Sequence, residues 1–207
     1  MRSLKAILLC TVLFCTTSCY FTKALKYKKY QLEKLGDFPA VSFPKSNNPF
    51  YFKKGTVSNE LKNELDSMLT GSNRYAFLII RNDSILYEFY NKGISDSSIL
   101  PSFSVAKSYV STMLEIARED RKIKSFQEPI TNYLPELIKC DERFKNIRIQ
   151  HVLDMRSGIK SSENYFNPMS DVLKLGFGRN VNKKALNISI EKEPNQKTEY
   201  KSINTQL

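Results

Sequence analysis

The sequence predicts an α/β fold of the layered α+β kind, with helices lying on a mainly antiparallel sheet. Three observations lead there. A β-hairpin signature occupies residues 75–90, an amphipathic helical period precedes it, and a run of helical segments follows it. A two-stranded hairpin cannot carry a core of that size alone, so further strands are required. None is legible between the hairpin and Leu207, so the expectation is a fold whose C-terminal strands are missing from this sequence.

Each element has a local cause. "FPAVSFPKSNNPFYF", residues 38–52, holds three prolines and an Asn pair and reads as an extended arm. Ser58 has the position of an N-cap, and Leu61, Leu65, Met68 and Leu69 recur at helical spacing, predicting a helix over 58–70. "YAFLII" (75–80) and "SILYEFY" (84–90) are strand-like, and Asn82-Asp83 between them supply a tight turn. A helix begins near Ser104 and runs to about Arg118. "EPITNYLPEL" (128–137) reads as a short helix between prolines. "IQHVLDM" (149–155) reads as another, stopped at Gly158. Beyond it the chain is polar and loop-rich as far as "TEYKSINTQL" (198–207).

The chain has 207 residues, 41% of them hydrophobic, which suffices for one domain with a real core. The formal charge is +11. No basic block is interleaved with aromatics in the manner of a nucleic-acid groove, so attraction to an anionic envelope surface is the better reading of that excess.

The first residues form a unit of their own. Arg2 and Lys5 precede the apolar run "AILLCTVLFC" (6–15), which is too short to span a bilayer comfortably, and "TTSC" follows. Residues 1–18 read as a secretory signal, with Cys19 as the lipidated first residue of a membrane-anchored lipoprotein facing the periplasm or cell envelope. Thr16 stands where such signals usually carry leucine. Residues 19–56 then form a basic tether and extended arm, with lysines at 23, 26, 28, 29 and 34 suited to an anionic membrane face. Residues 57–207 form the folded domain, expected to be a monomer. Of the four cysteines only Cys140 lies in that domain, so a disulfide framework is excluded. No Cys/His metal spacing and no Gly-rich phosphate loop occurs, and neither a metal nor a cofactor is expected.

"PSFSVAKSYVSTM" (101–113) places Ser104 three residues before Lys107. On a helix the two share a face one turn apart. A serine hydroxyl is a poor nucleophile until a base takes its proton. A lysine set among Phe103, Val105, Ala106 and Val110 is expected to point inward, where desolvation favours the neutral amine. By spacing alone Ser104 reads as a plain helix cap before it reads as a nucleophile. No Gly-x-Ser-x-Gly elbow is present, and the single histidine, His151, sits at helical spacing to apolar neighbours and reads as structural. A Ser-His-Asp scheme would have to use it.

"FSVAKSYVSTMLEIARED", "KIKSFQEPITNYLPEL" and "IRIQHVLDMRSGI", in that order, resemble the serine beta-lactamase-related family: class C beta-lactamases, DD-peptidases, related esterases and aminohexanoate-oligomer hydrolases. The resemblance covers about residues 75–207 and implies a beta-lactamase/transpeptidase-like fold. It implies Ser104 as the acylated nucleophile and Lys107 as its general-base partner. "TEYKSINTQL" resembles the second motif, which reads Tyr-x-Ser-x-Asp/Asn-Thr in the aminohexanoate-hydrolase branch. That implies Tyr200 as the tyrosine relaying protons to the leaving group, Ser202 in the substrate site and Asn204 as a support. "GIKSSENYFNP" (158–168) resembles the segment in which Tyr165 would line the substrate pocket. Two positions depart from the pattern: Arg121 and Asn195 stand where glycine is usual. The third motif, a His-x-Gly or Lys-Thr-Gly strand, is expected downstream of Tyr200 and is not found.

Two functions follow. The first is an exported serine hydrolase cleaving a small-molecule or peptide amide or ester by a Ser-Lys-Tyr acyl-enzyme route. The second is a non-catalytic or truncated lipoprotein remnant of that family, in which the 207-residue chain alone is inactive.

Overall fold

The computed structural model describes residues 41–207 apart from 168 and 179. The predicted signal, Cys19 and the lysine-rich tether lie outside the described residues. The chain divides into two compact units, one ending at Pro101 and the other containing Ser102–Leu207.

The first unit is a three-stranded sheet and one helix. Strand β1 is Lys53–Lys54, helix α1 is Asn59–Leu69, and strands β2 (Ala76–Arg81) and β3 (Ser84–Tyr90) form the expected hairpin. The sheet order is β1-β3-β2, with β2 antiparallel and β1 parallel to β3. The third strand comes from the end of the segment that the sequence assigned to the extended arm. Two consecutive lysines carry no strand alternation, and only the pairing of Lys53 with Ser84 and Lys54 with Ile85 makes them a strand. Asn82 and Asp83 both take positive φ, 48° and 56°, the left-handed turn that a two-residue hairpin prefers. Helix α1 starts at its cap, where Ser58 Oγ accepts from the Leu61 N–H at 3.2 Å. It is fastened to the hairpin by the buried Tyr87, whose hydroxyl donates to Asp66 at 2.7 Å. Burial, reinforced by that carboxylate, pushes the Tyr87 phenol up to about 12.

The second unit is helical. A 3-10 turn at Phe103–Val105 leads into α2, Ala106–Glu119, followed by 3-10 turns and the short helices α3 (Ile149–Leu153), α4 (Asp171–Phe177), α5 (Val181–Ala185) and α6 (Ile203–Gln206). Its core is centred on Leu137, Phe144, Ile147, Ile159 and Ile203, all fully buried.

Three expectations change here. The helix over 128–137 resolves into two 3-10 turns, Ile130–Asn132 and Pro135–Lys139. Pro135 supplies no N–H and holds Leu134 out of the helical region, at φ −128° and ψ 65°. Helix α3 ends at Leu153, because Met155 at φ 56° has already turned left-handed before Gly158. The stretch beyond Gly158, read as loop, contains α4 and α5, which bury Val172, Leu175 and Ala185. Both helices are too short for a helical period to be legible, and Gly176 and Gly178 obscure the first of them. The two positions lacking the expected glycine are also informative: Arg121 (φ 59°) and Asn195 (φ 67°) both hold the left-handed conformation that glycine adopts most easily.

Candidate active site

Ser104 lies at the centre of the 3-10 turn that opens α2, one helical turn before Lys107. Phe103, immediately before it, holds φ 45°, a conformation that a bulky side chain rarely adopts and that clusters at functional sites. Lys107 Nζ donates to Ser104 Oγ at 3.4 Å. Tyr200, 96 residues further along, brings its hydroxyl to the same oxygen and donates at 2.8 Å. Lys107 Nζ also stands over the Tyr200 ring, 5.1 Å from its centroid, in cation–π range. The three side chains therefore form a closed triangle on one oxygen.

The electrostatics favour proton exchange within that triangle. The bond with Ser104, then the Lys107 ammonium, pull the Tyr200 phenol below its ordinary value, against burial and the Glu163 carboxylate. A phenolate so stabilised can accept the Ser104 proton, and the phenol can return one. The apolar enclosure expected around Lys107 is incomplete among the described residues: Lys107 is half-buried, but Phe103 and Val105 are 57% and 59% exposed. An apolar cavity of about 570 Å³ is walled by Ile130, Ile149, Val152 and Leu207, with Lys107 and Asn204 among its polar groups.

The segment carrying Tyr200 is heavily tied. Glu199 pairs with Lys192 at 2.6 Å, Lys197 at 3.2 Å and Lys201 at 3.0 Å, and these partners hold its carboxyl down at about 2. Lys201, only 9% exposed, donates to the Ile159 carbonyl at 2.8 Å. Asn204 is buried and accepts from Ser157 Oγ at 2.6 Å. Ser202 does not join the Ser104 triangle: its hydroxyl donates to Glu163 at 3.1 Å. Tyr165 is 58% exposed and makes no hydrogen bond with Ser104, Lys107 or Tyr200 among the described residues. His151 caps α3, its Nδ1 accepting from the Arg148 N–H at 3.3 Å, and burial lowers its pKa, the structural role expected of it. Cys140 is exposed, its thiol directed at the Leu186 carbonyl. Sequence reasoning missed Glu163 and the lysine–glutamate cluster. The available signal was the alternation Glu199-Tyr200-Lys201, which sends the charges to one side of an extended segment and the phenol to the other.

A family model described as Beta-lactamase matches residues 71–207. The chain belongs to the beta-lactamase family. Ser104, Lys107 and Tyr200 all fall inside the matched region. Over 109 residues the chain is 30% identical to the 6-aminohexanoate-dimer hydrolase of Paenarthrobacter ureafaciens, covering 53% of this chain and 27% of that protein. The solved structure "Putative 6-aminohexanoate-dimer hydrolase from Bacillus anthracis" superposes with a TM-score of 0.54 at 16% identity, over 75% of this chain and 46% of that one. At that identity the likeness is one of fold, and it establishes the beta-lactamase-like architecture. The chain thus spans about a quarter of the curated relative and under half of the solved structure.

Proposed function

We propose that this member of the beta-lactamase family is an exported serine hydrolase that cleaves an amide or ester through an acyl-enzyme on Ser104. The observation that carries it is the Tyr200–Ser104 hydrogen bond of 2.8 Å, closed across 96 residues, with Lys107 on the same oxygen. With Tyr200 ionised to a phenolate beside the Lys107 ammonium, Ser104 Oγ attacks the substrate carbonyl carbon and its proton passes to the phenolate oxygen. Tyr200, the nearer of the two, returns a proton to the departing amine or alcohol, and the C–N or C–O bond breaks. Water then attacks the acyl-Ser104 ester by the same proton route in reverse, releasing the acid and restoring Ser104. The name of the Paenarthrobacter relative favours a linear amide as substrate.

Full-length natural product treated with a fluorophosphonate should carry the adduct on Ser104, located by mass spectrometry, and Ser104→Ala should carry none. A folded protein without the adduct rejects the proposal in favour of a non-catalytic member, a reading supported by the open setting of the site, where Tyr200 is 53% exposed. Export and anchoring rest on Arg2, Lys5, the apolar run over 6–15 and Cys19. In cells the wild type is expected in the detergent-extracted membrane fraction, and Cys19→Ala should move to the soluble fraction. An unchanged distribution argues against lipidation.

A further inference from the structure

Tyr200 sits between two sets of ties. On its N-terminal side Glu199 is held by Lys192 and Lys197 and its N–H donates to the Met155 carbonyl at 2.8 Å; immediately after the tyrosine Lys201 bridges Glu199, Glu191 and the Ile159 carbonyl. On its C-terminal side Glu163 takes both donors of Ser202: the backbone N–H goes to Oε1 and the hydroxyl to Oε2. Residues 155, 159 and 163 belong to one stretch of chain, so that stretch anchors both flanks of the tyrosine. The groups facing the phenol are Ser104 and Lys107 from the start of α2 and Glu163 from this loop. The charges in its own segment, Glu199 and Lys201, are engaged with each other and with Lys192, Lys197 and Glu191.

We propose that Glu163 is the positioning residue for Tyr200: its carboxylate grips Ser202 by two hydrogen bonds and so fixes the phenol against Ser104 Oγ. This rests on the reading of Ser104 as nucleophile. The carboxylate has a second effect on the same group. Ser104 and Lys107 draw the phenol toward ionisation, and the negative charge of Glu163 opposes them without reversing the fall. A bidentate carboxylate thus serves both geometry and protonation, and a neutral amide would serve only the first.

The test compares wild type, Glu163→Gln and Glu163→Ala in the full-length natural product, reading the rate of Ser104 labelling by a fluorophosphonate against pH. Gln keeps an oxygen for the Ser202 N–H and removes the charge, so the alkaline rise of the profile should move to lower pH. Ala, with no acceptor, should slow labelling about tenfold or more at every pH. A Gln profile that coincides with wild type overturns the proposal, even if Ala lowers the melting temperature, because a purely structural tie would behave that way. Should Ala fail to fold, a phenolate difference titration decides. Wild type minus Tyr200→Phe isolates the Tyr200 signal, and the same difference in the Glu163→Gln background should titrate lower; coincidence overturns the proposal. That titration needs no turnover, so an absent Ser104 adduct would sink the hydrolase reading while the titration still reports on Glu163.

Discussion

Tyr200→Phe is expected to slow acylation of Ser104 by about 10²–10⁴-fold, the usual worth of one positioned proton carrier. The substitution removes one oxygen and keeps the ring. Lys107 retains its cation–π partner, and the Glu199–Lys201 and Ser202–Glu163 ties on either side do not involve the phenol. The side chain is half exposed, so the thermal unfolding midpoint should stay close to that of wild type. The pH profile should change as well. Because the phenol is pulled below its usual value, the wild-type rate should climb as pH rises toward that lowered pKa, where phenolate becomes available to take the Ser104 proton. The Phe variant has no such group and should lose this rise. Single-turnover acylation by an activated ester measures both effects. An unchanged rate would remove Tyr200 from the proton path and leave Lys107 as the sole candidate.

Gly158→Ala is expected to destabilise the fold by about 2–5 kcal/mol, combining left-handed backbone strain with overpacking. Gly158 has φ 72°, and an added Cβ would lie 2.1 Å from the Lys192 carbonyl oxygen, a backbone atom that cannot turn aside. Its own carbonyl accepts from the Glu191 and Lys192 N–H groups at 2.9 and 3.1 Å. The methyl group would therefore push away the strand-like stretch that carries Lys192 to Glu199 and Glu191 to Lys201. Denaturant unfolding should show the loss, and labelling at Ser104 should fall with it as Tyr200 loses its anchors. Gly176→Ala is the control: its Cβ would meet nothing within 4 Å and its backbone is helical, so it should be neutral or slightly stabilising. Equal effects of the two substitutions would show that the close approach at Gly158 is unimportant.

The parts of the fold visible in the sequence were those with strong local causes. Ser58 capped its helix, the Asn82-Asp83 turn formed, and α2 ran within a residue or two of its expected span. The parts that escaped depend on partners far along the chain. Lys53–Lys54 become a strand only because β3 offers an edge, and α4 and α5 are held by burying Val172, Leu175 and Ala185. The site divided in the same way. The spacing of Ser104 and Lys107 put them on one helical face, but their roles, like that of Tyr200, came through the family resemblance, since a separation of 96 residues has no period to reveal it. Glu163 was invisible because a glutamate in a polar loop looks like any solvated carboxylate until its two bonds to Ser202 are seen.

The long separation between Ser104 and Tyr200 has a kinetic meaning. The backbone hydrogen bonds of helix α2 are local, whereas the tyrosine arrives only after a loop of 96 residues has closed. Every tie around Tyr200 reaches back to residues 155–163 or to the Lys192 stretch, so the intervening turns must already be packed. A partly folded chain that keeps α2 would present the serine and the lysine without the group that completes them. Under the proposed acyl-enzyme route, Ser104 would gain its full set of partners only when the fold is complete.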